Sequence, residues 1–216
     1  YEIARQAGAA IMDIYIRGHS VRMKKDNSPV TEADTAAHEL IAQRLGQLQW
    51  VLPILSEEGA ADFSIADHSG SYWIVDPLDG TKEFMKGNDE FTVNVALIER
   101  GRPILGVVYA PALHLAYLAA EGVGVFKLVG DRMYMSIRVA KHIAGTPWRV
   151  ISSRSHAGDS LALLLQKLGS YELISMGSSL KLCLVAEGRA DVYPRLGLTS
   201  LWDTAAAQCV VEQAGG

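Results

Sequence analysis

Residues 71–84 read SYWIVDPLDGTKEF, and this stretch decides the organisation of the rest of the chain. Its first part, 72–75, is a compact apolar run that predicts a β-strand. Pro77 fixes its own φ and biases the residue before it away from helix, so we expect the strand to stop at Asp76. The stretch therefore predicts a strand that ends in an acidic turn.

The acidic turn carries Asp76 and Asp79, three positions apart, with Gly80 and Thr81 directly after them. Gly80 permits a tight turn or a close backbone approach, and Thr81 is a suitable cap for a following helix. Two carboxylates on such a turn can converge on one point, and hard divalent cations such as Mg²⁺ prefer oxygen ligands of this kind. An ordinary Asp-Gly turn with two solvated acids is the alternative, and for an isolated turn it is the commoner case.

Composition limits the classes of function that the chain can serve. Of its 216 residues, 49% are hydrophobic and 20% are charged, which is typical of a folded globular protein. The formal net charge of −4 argues against a broad surface for nucleic acids or membranes, so an anionic substrate needs a few local cations or a bound metal. No apolar run approaches the roughly 18 residues of a membrane span, and no signal-peptide pattern opens the sequence.

The cysteines and the ends of the chain carry weaker signals. Cys183 and Cys209 lie in apolar stretches without a CxxC pattern, which predicts two buried, reduced thiols and a cytoplasmic protein. Peripheral association with the inner membrane stays open, as does the choice between a monomer and a homodimer. The sequence begins at Tyr1 and ends at Gly216 directly after a predicted helix, and we interpret both ends as clipped.

Residues 1–146 predict an α+β half. Helical spacing of apolar residues covers 1–16, and a second helix is expected after Thr31. Apolar or alternating segments separated by Gly and Pro turns then predict strands that pair into an antiparallel sheet. These segments are 51–55, 91–98, 104–109, 113–119 and 124–128.

In residues 147–216 the predicted pattern of secondary structure changes, because strands and helices alternate from this point. Strands are predicted at 148–152, 173–176 and 191–193, and helices at 159–168, 180–186 and 204–214. Such alternation is typical of an α/β arrangement. The chain is therefore predicted to consist of an α+β half packed against an α/β half, with the boundary near Thr146.

Three acids outside the central stretch allow both a structural and a functional interpretation. Asp34 stands three residues after Thr31, which is the spacing of a capping box at the start of a helix. Glu57 follows a predicted strand end in the run SEE and is either a loop charge or a second edge of an acidic pocket. Asp203 stands where a helix N-cap is expected, next to free N–H groups that favour a phosphate or a metal–phosphate pair. On spacing alone, the structural interpretation is the commoner one for each.

The basic candidates lie in the second half of the chain. Lys181 lies in a predicted helix after the turn 177–179, Arg195 follows a Tyr-Pro pair, and His156 lies in a predicted loop. Taken separately, each is most simply a solvated group. Only the pattern of all the candidates together indicates a function.

Taken together, these segments resemble the inositol monophosphatase-like superfamily over essentially the whole chain. The motifs are Glu57 in SEE, the run DPLDGT at 76–81, and Trp202 followed by Asp203, and the pairing of the last two is highly specific. The resemblance implies a layered αβαβα sandwich of the inositol monophosphatase and fructose bisphosphatase type. It also implies a Mg²⁺-dependent, lithium-sensitive phosphatase.

Three further runs indicate a branch of that superfamily. Inositol monophosphatases typically continue DGT with Thr-Asn-Phe, whereas this chain has Lys-Glu-Phe at 82–84. GSSLK at 177–181 and YPR at 193–195 are similar to the 3′(2′),5′-bisphosphate nucleotidases, in particular the bacterial CysQ-type branch. The resemblance implies hydrolysis of the 3′-phosphate of adenosine 3′,5′-bisphosphate to AMP and phosphate, in sulfur assimilation. It leaves phosphoadenylyl sulfate open as a second substrate.

The resemblance also implies a role for each matching residue. Two Mg²⁺ ions are implied, and a third that enters with the substrate is left open. The implied metal ligands are Glu57, Asp76, the carbonyl of Leu78, Asp79 and Asp203. Asp34 and Thr81 would form the dyad that orients and deprotonates the attacking water. The implied substrate contacts are Gly80, Thr81, His156, Ser178, Lys181, Arg195 and Asp203.

Three other functions stay open. An inositol or sugar phosphatase of the same superfamily shares the metal half of the pattern. A non-catalytic protein that binds metal and nucleotide is an alternative from another class. A two-metal phosphodiesterase or nuclease fits the acids, but the acidic overall charge disfavours it. The expected partner is a small nucleotide bisphosphate rather than a nucleic-acid polymer, without stable membrane insertion.

Overall fold

The computed structural model describes residues 1–18, 21–23, 29–63, 70–130, 133–153 and 159–216. Within these ranges the helices are α1 (Glu2–Arg17), α2 (Glu32–Leu45), α3 (Thr81–Lys86), α4 (Asp159–Leu168), α5 (Leu180–Ala186) and α6 (Ala205–Gln213). The strands are β1 (Val21–Met23), β2 (Pro29–Thr31), β3 (Ile54–Ser56), β4 (Ser71–Asp79), β5 (Thr92–Glu99), β6 (Arg102–Ala110), β7 (Leu115–Ala120), β8 (Gly124–Val129), β9 (Met133–Ser136), β10 (Trp148–Ser153) and β11 (Tyr171–Met176). A 3₁₀ segment, Glu57–Asp62, follows β3 directly and is kinked at Gly59, whose backbone is not helical.

A seven-stranded sheet dominates the first half, with the strand order β3-β4-β5-β6-β7-β8-β9. β3 runs parallel to β4, and every other neighbouring pair in this sheet is antiparallel. The prediction of an antiparallel sheet is therefore correct from β4 onward and wrong for β3. Parallel neighbours cannot be joined by a two-residue hairpin, so β3 and β4 are not the hairpin pair that an antiparallel sheet requires.

Helices pack on both faces of this sheet. Successive residues on a strand point to opposite faces, so each strand contributes side chains to both cores. Val107 and Val108, neighbours on β6, belong to different cores. On the Val107 side the core includes Ile11 of α1 and Ile41 of α2. On the Val108 side it includes Cys209 and other residues of α5 and α6. The sheet is thus enclosed between two helical layers.

The second half adds a smaller, parallel sheet of β10 and β11. α4 packs against one face, with Leu161 against Val150, and α5 packs against the other, with Leu184 against Ile151. Since α5 also packs on the seven-stranded sheet, the layers follow the order helix, sheet, helix, sheet, helix. This order confirms the predicted αβαβα sandwich, while the division of the chain near Thr146 stays a prediction.

The strand before the acidic turn does not stop where the sequence predicted. β4 continues through Pro77 to Asp79. In its pairing with β5, Asp76 lies opposite Asn94 and Asp79 lies opposite Thr92, so β4 has one extra residue between these two pairs. Pro77 lies inside this irregularity, where the ladder is interrupted and no N–H is needed from it. The predicted end at Asp76 is therefore wrong, and a bulge carries the strand past the proline.

Smaller expectations have mixed outcomes. Cys183 and Cys209 are both buried and unpaired, as predicted. The predicted strand at 191–193 is reduced to an isolated bridge between Val150 and Val192. None of the helices in the described ranges is long and apolar enough to cross a membrane.

Candidate active site

A cavity of about 300 Å³ opens where the bulged end of β4 meets the start of α5. Its lining residues come from widely separated parts of the chain. They are Glu57, Asp76, Leu78, Asp79, Gly80, Thr81, Lys82, Glu83, Ser153, Ser178, Lys181, Arg195 and Asp203. The structure therefore brings every predicted metal ligand, and every predicted substrate contact except His156, to one cavity. His156 lies outside the described residues.

Burial and mutual repulsion dominate the electrostatics of the acids. Asp76 is only 1% exposed, and burial raises its pKa well above the ordinary value. The negative charges of Asp79, Glu57 and Asp203 raise that pKa further. Burial also raises the pKa of Asp79, although the positive charge of Lys181 opposes the shift. The ionised acids therefore destabilise one another, and a bound cation would offset their repulsion.

The donor atoms fit a hard divalent cation in kind. They are carboxylate oxygens and the carbonyl oxygen of Leu78, and Mg²⁺ prefers oxygen ligands. Opposite Asp76 on the neighbouring strand, Asn94 adds a buried Oδ1 that accepts no hydrogen bond within the described part of the chain. However, no three His, Cys, Asp or Glu side chains among the described residues are already arranged as a ligand set. The acids share the cavity, and Asp79 and Asp203 each have one carboxylate oxygen occupied by hydrogen bonds to protein groups.

Asp34 is buried next to the cavity, and its two oxygens have different partners. Oδ2 accepts from the backbone N–H and the hydroxyl of Thr31, at 2.7 Å each, which completes the predicted capping box of α2. Oδ1 lies 3.4 Å from the hydroxyl of Thr81, which also lies 3.3 Å from the carbonyl oxygen of Leu78. Burial is the main cause of the raised pKa of Asp34. The capping prediction is confirmed, and the cap leaves Oδ1 available to the predicted dyad.

Two predicted helix caps are wrong. α3 has Gly80 at its N-cap, with φ of 91°, and Thr81 is its first helical residue. α6 begins after Thr204 rather than after Asp203. The Asp203 carboxylate instead accepts, through Oδ2, from the hydroxyl of Thr199 at 2.8 Å and from the backbone N–H of Ser200 at 3.2 Å. Neither Thr81 nor Asp203 is therefore used as a helix cap, and both line the cavity.

Lys181 and Arg195 build the basic side of the cavity around Tyr193. Lys181 is 6% exposed, donates to the carbonyl oxygen of Ser178, and has its Nζ 5.7 Å from the centre of the Tyr193 ring. Arg195 donates to the Tyr193 hydroxyl at 3.0 Å and to Oδ2 of Asp203 at 3.2 Å. Burial lowers the pKa of Lys181. Two cations thus stand beside the acids, where they can pair with a second anionic group.

Sequence reasoning missed two residues that connect the acids, Ser179 and Asn94. The backbone N–H of Ser179 donates to Oδ2 of Asp79 at 2.5 Å, and its Oγ lies 2.8 Å from the same oxygen. Nδ2 of Asn94 donates to Oγ of Ser179 at 2.8 Å. The sequence does hold a signal for Asn94, because Thr92 and Asn94 are alternate polar positions in an otherwise apolar strand and so point to one face. For Ser179 the signal is its place in the run GSSLK at 177–181, from which only Ser178 and Lys181 were singled out.

Comparison with known proteins covers the whole chain. Residues 1–216 match the model of the inositol monophosphatase family. The 3′(2′),5′-bisphosphate nucleotidase CysQ of Salmonella typhimurium is 50% identical over 216 residues, which cover 99% of this chain and 86% of that protein. The protein of the same name from Haemophilus influenzae is 35% identical, over 99% of this chain and 80% of that protein.

Solved structures agree with the sequence relatives. The crystal structure of CysQ from Bacteroides thetaiotaomicron, a bacterial member of the inositol monophosphatase family, matches with a TM-score of 0.83 and 41% identity, over 99% of this chain and 84% of that one. The IMPase of Thermotoga maritima matches with a TM-score of 0.82 and 28% identity, over 100% of this chain and 81% of that one. Motifs, layered fold and relatives lead to the same conclusion, which is that the chain belongs to the inositol monophosphatase family.

Proposed function

We propose that the protein is a Mg²⁺-dependent phosphatase that hydrolyses the 3′-phosphate of adenosine 3′,5′-bisphosphate to AMP and phosphate. The observation that carries this proposal is that one cavity joins the acids of the metal pattern to Lys181 and Arg195. Relatives at 50% identity bear the name of this activity, and phosphatases of this family are metal-dependent. Phosphoadenylyl sulfate is a proposed second substrate, which would place the protein in sulfur assimilation.

In this proposal the acids hold the metal. Glu57, Asp76 and the carbonyl of Leu78 would hold one Mg²⁺, and Asp76, Asp79 and Asp203 would hold a second. A third ion that enters with the substrate stays open. When bound, Mg²⁺ supplies positive charge that offsets the repulsion between the acids and a phosphate, and it lowers the pKa of water.

Thr81 and Asp34 move the proton of the attacking water. The Thr81 hydroxyl orients the water and accepts its proton, while it gives its own proton to Oδ1 of Asp34, 3.4 Å away. Burial raises the pKa of Asp34, which makes its carboxylate a better proton acceptor. The bonds from Thr31 hold the other oxygen, so the start of α2 keeps Oδ1 in place.

Selection of a bisphosphate falls to the basic side of the cavity. Ser178, Lys181 and Arg195 contact the phosphate that is not cleaved. A substrate that lacks this group does not form the charged hydrogen bonds to Lys181 and Arg195, which discriminates against it by about 2–3 kcal/mol. Gly80 allows the reacting phosphate to approach the backbone closely. His156, outside the described residues, is proposed to lie near the adenosine.

The likeness to the Thermotoga maritima IMPase favours an inositol phosphatase as the second candidate. Phosphate release from adenosine 3′,5′-bisphosphate and from inositol 1-phosphate, measured side by side with Mg²⁺, separates the two. We expect kcat/KM to be at least about 10-fold higher for the bisphosphate. Faster turnover of the inositol ester would overturn the choice of substrate. Mg²⁺ and nucleotide binding without release from any phosphomonoester would favour the non-catalytic alternative.

Location and assembly remain proposals. Two buried, unpaired cysteines are typical of a reducing compartment, and we propose the cytoplasm. Nothing in the described residues supports peripheral attachment to the inner membrane. The choice between monomer and homodimer is left to light scattering.

A further inference from the structure

Ser179 is the point at which acids from distant parts of the chain are joined, and it is only 4% exposed. Its backbone N–H donates to Oδ2 of Asp79 at 2.5 Å. Its Oγ lies 2.8 Å from that same oxygen and 2.9 Å from the carbonyl oxygen of Asp203. One buried serine therefore contacts an acid at the end of β4 and an acid just before α6.

Asn94 fixes the hydroxyl of Ser179 from the neighbouring strand. The hydroxyl has one proton and two nearby acceptors, on Asp79 and Asp203. Its oxygen accepts from Nδ2 of Asn94 at 2.8 Å, which holds Oγ in place whichever acceptor receives the proton. Asn94 is 1% exposed, so water does not compete for this bond. The Ser179 oxygen is thus a fixed point between the two acids.

These bonds decide which oxygen of Asp79 is available to the cavity. Within the described residues, the hydrogen bonds that Asp79 accepts all go to Oδ2. Two come from Ser179, and Thr92 and Asn94 contribute longer ones at 3.5 Å. Oδ1 is left for a cation. Partners that orient a ligand in this way contribute much of the affinity of a metal site.

From this geometry we propose that Ser179, held by Asn94, is a positioning residue for the cation that Asp79 and Asp203 bind. The inference rests on the metal role in the proposed function and identifies the residue that fixes the two ligands relative to each other. Ser179 is not among the residues that line the cavity; it orients the Asp79 carboxylate and holds the backbone of Asp203. The other cation, with Glu57 among its ligands, should depend on Ser179 much less.

The test is a Mn²⁺ titration of the metal-free protein, followed by electron paramagnetic resonance of the free ion. The Asp79→Asn variant is titrated first, because the ion whose affinity it weakens is the ion that Asp79 binds. Ser179→Ala should weaken the affinity for this ion about 10- to 100-fold and leave the affinity for the other ion unchanged. Ser152→Ala removes another buried serine hydroxyl, at 5% exposure, and should change neither affinity. The Tm of each variant in EDTA shows whether the fold is kept.

The outcomes separate this inference from the proposed function. Unchanged affinity for the Asp79-dependent ion in folded Ser179→Ala would overturn the inference alone, as would an equal loss of both ions. Should Ser179→Ala not fold, Ser179→Cys replaces the hydroxyl with a much weaker donor of similar shape, and the same criteria apply to it. Wild-type binding of both ions by Asp79→Asn would overturn the metal role itself, and this inference with it.

Discussion

Asp76, Asp79 and Asp203 each give one carboxylate oxygen to hydrogen bonds within the protein. Asp76 Oδ1, for example, accepts from the backbone N–H of Leu78 at 3.1 Å. Among the described residues, no hydrogen bond reaches the other carboxylate oxygen of these three acids, which is left for a ligand. Asp34 shows the same division, with a cap on Oδ2 and Thr81 near Oδ1. At the residue scale, one side chain therefore serves the fold with one atom and the site with another.

Asp76→Asn should remove nearly all turnover and still stabilise the metal-free protein. The change removes a negatively charged ligand from both proposed cations. It also removes the buried charge that repels Asp79, Glu57 and Asp203. We expect the Tm in EDTA at neutral pH to rise by about 2–4 °C for each kcal/mol of repulsion relieved. Wild-type turnover would contradict the metal assignment, and a lower Tm would contradict the electrostatic argument.

Lys181→Met tests the basic side of the cavity with a side chain of similar length. Because Lys181 is buried beside Tyr193, its apolar stem can be replaced without opening a cavity. The lost charge should raise KM for the bisphosphate about 10- to 100-fold, as expected for a charged hydrogen bond of about 1.5–3 kcal/mol. KM for a simple phosphomonoester is the control and should change little. An equal loss on both substrates would mean that Lys181 does not select the second phosphate.

At the scale of elements, α5 connects the two sheets and positions the basic side of the cavity. Its start follows Ser179, which is bonded to Asp79. Its C-cap residue, Glu187, is paired with Lys127 of β8 and accepts from the hydroxyl of Tyr117 of β7 at 3.1 Å. Both ends of α5 are therefore tied to the seven-stranded sheet, which keeps Lys181 near the acids.

Gly106→Ala tests how closely α6 approaches β6. An added Cβ at Gly106 would lie 2.2 Å from the backbone oxygen of Ala206, so helix or strand must move. We expect a loss of about 1–3 kcal/mol in the free energy of unfolding, measured by urea denaturation. Gly197→Ala is the matched control, since its Cβ would meet nothing within 4 Å and the residue has no positive φ. Similar stability of the two variants would contradict the close packing of α6.

At the scale of the whole molecule, the site lies between the two sheets, and its acids should make the metal-free protein sensitive to pH. The folded-state pKa values of Asp34, Asp76 and Asp79 are all raised. Between the ordinary carboxyl pKa, about 4, and these raised values, the folded protein binds more protons than the unfolded chain, so stability falls as pH rises. Arg149 lowers the pKa of Asp191, so the stability that this pair contributes to the folded protein is lost only as the pH falls.

We therefore expect the Tm in EDTA to decrease from about pH 5 to 8, and the decrease to shrink with saturating Mg²⁺ because the ion binds the ionised acids. Thermal unfolding at several pH values, with and without the metal, measures both effects. A flat or rising Tm in EDTA would contradict the burial of these acids. An unchanged slope in Mg²⁺ would contradict their role as ligands.

Much of the fold and the site followed from local patterns in the sequence. α4 and α5 were predicted with their observed bounds, since apolar periodicity and flanking Gly or Ser act over a few residues. The capping box of Asp34 depends on a spacing of three residues and was equally predictable. Most of the acids and cations that line the cavity were named from motifs, because their residue types and spacing are read directly from the chain; Lys82 and Glu83 were not among them.

Contacts between distant residues were decided by the tertiary structure alone. The bulge past Pro77 exists because β5 pairs with β4 on both sides of it, and a local proline rule cannot include that partner. The bond from Ser179 to Asp79 joins residues 100 positions apart, and no periodicity in the sequence encodes it. By itself the sequence therefore determined most of the groups that the site contains, since these are read from residue type and local spacing. Only folding determined which oxygen of each acid is left for a ligand, because the competing donors come from other parts of the chain.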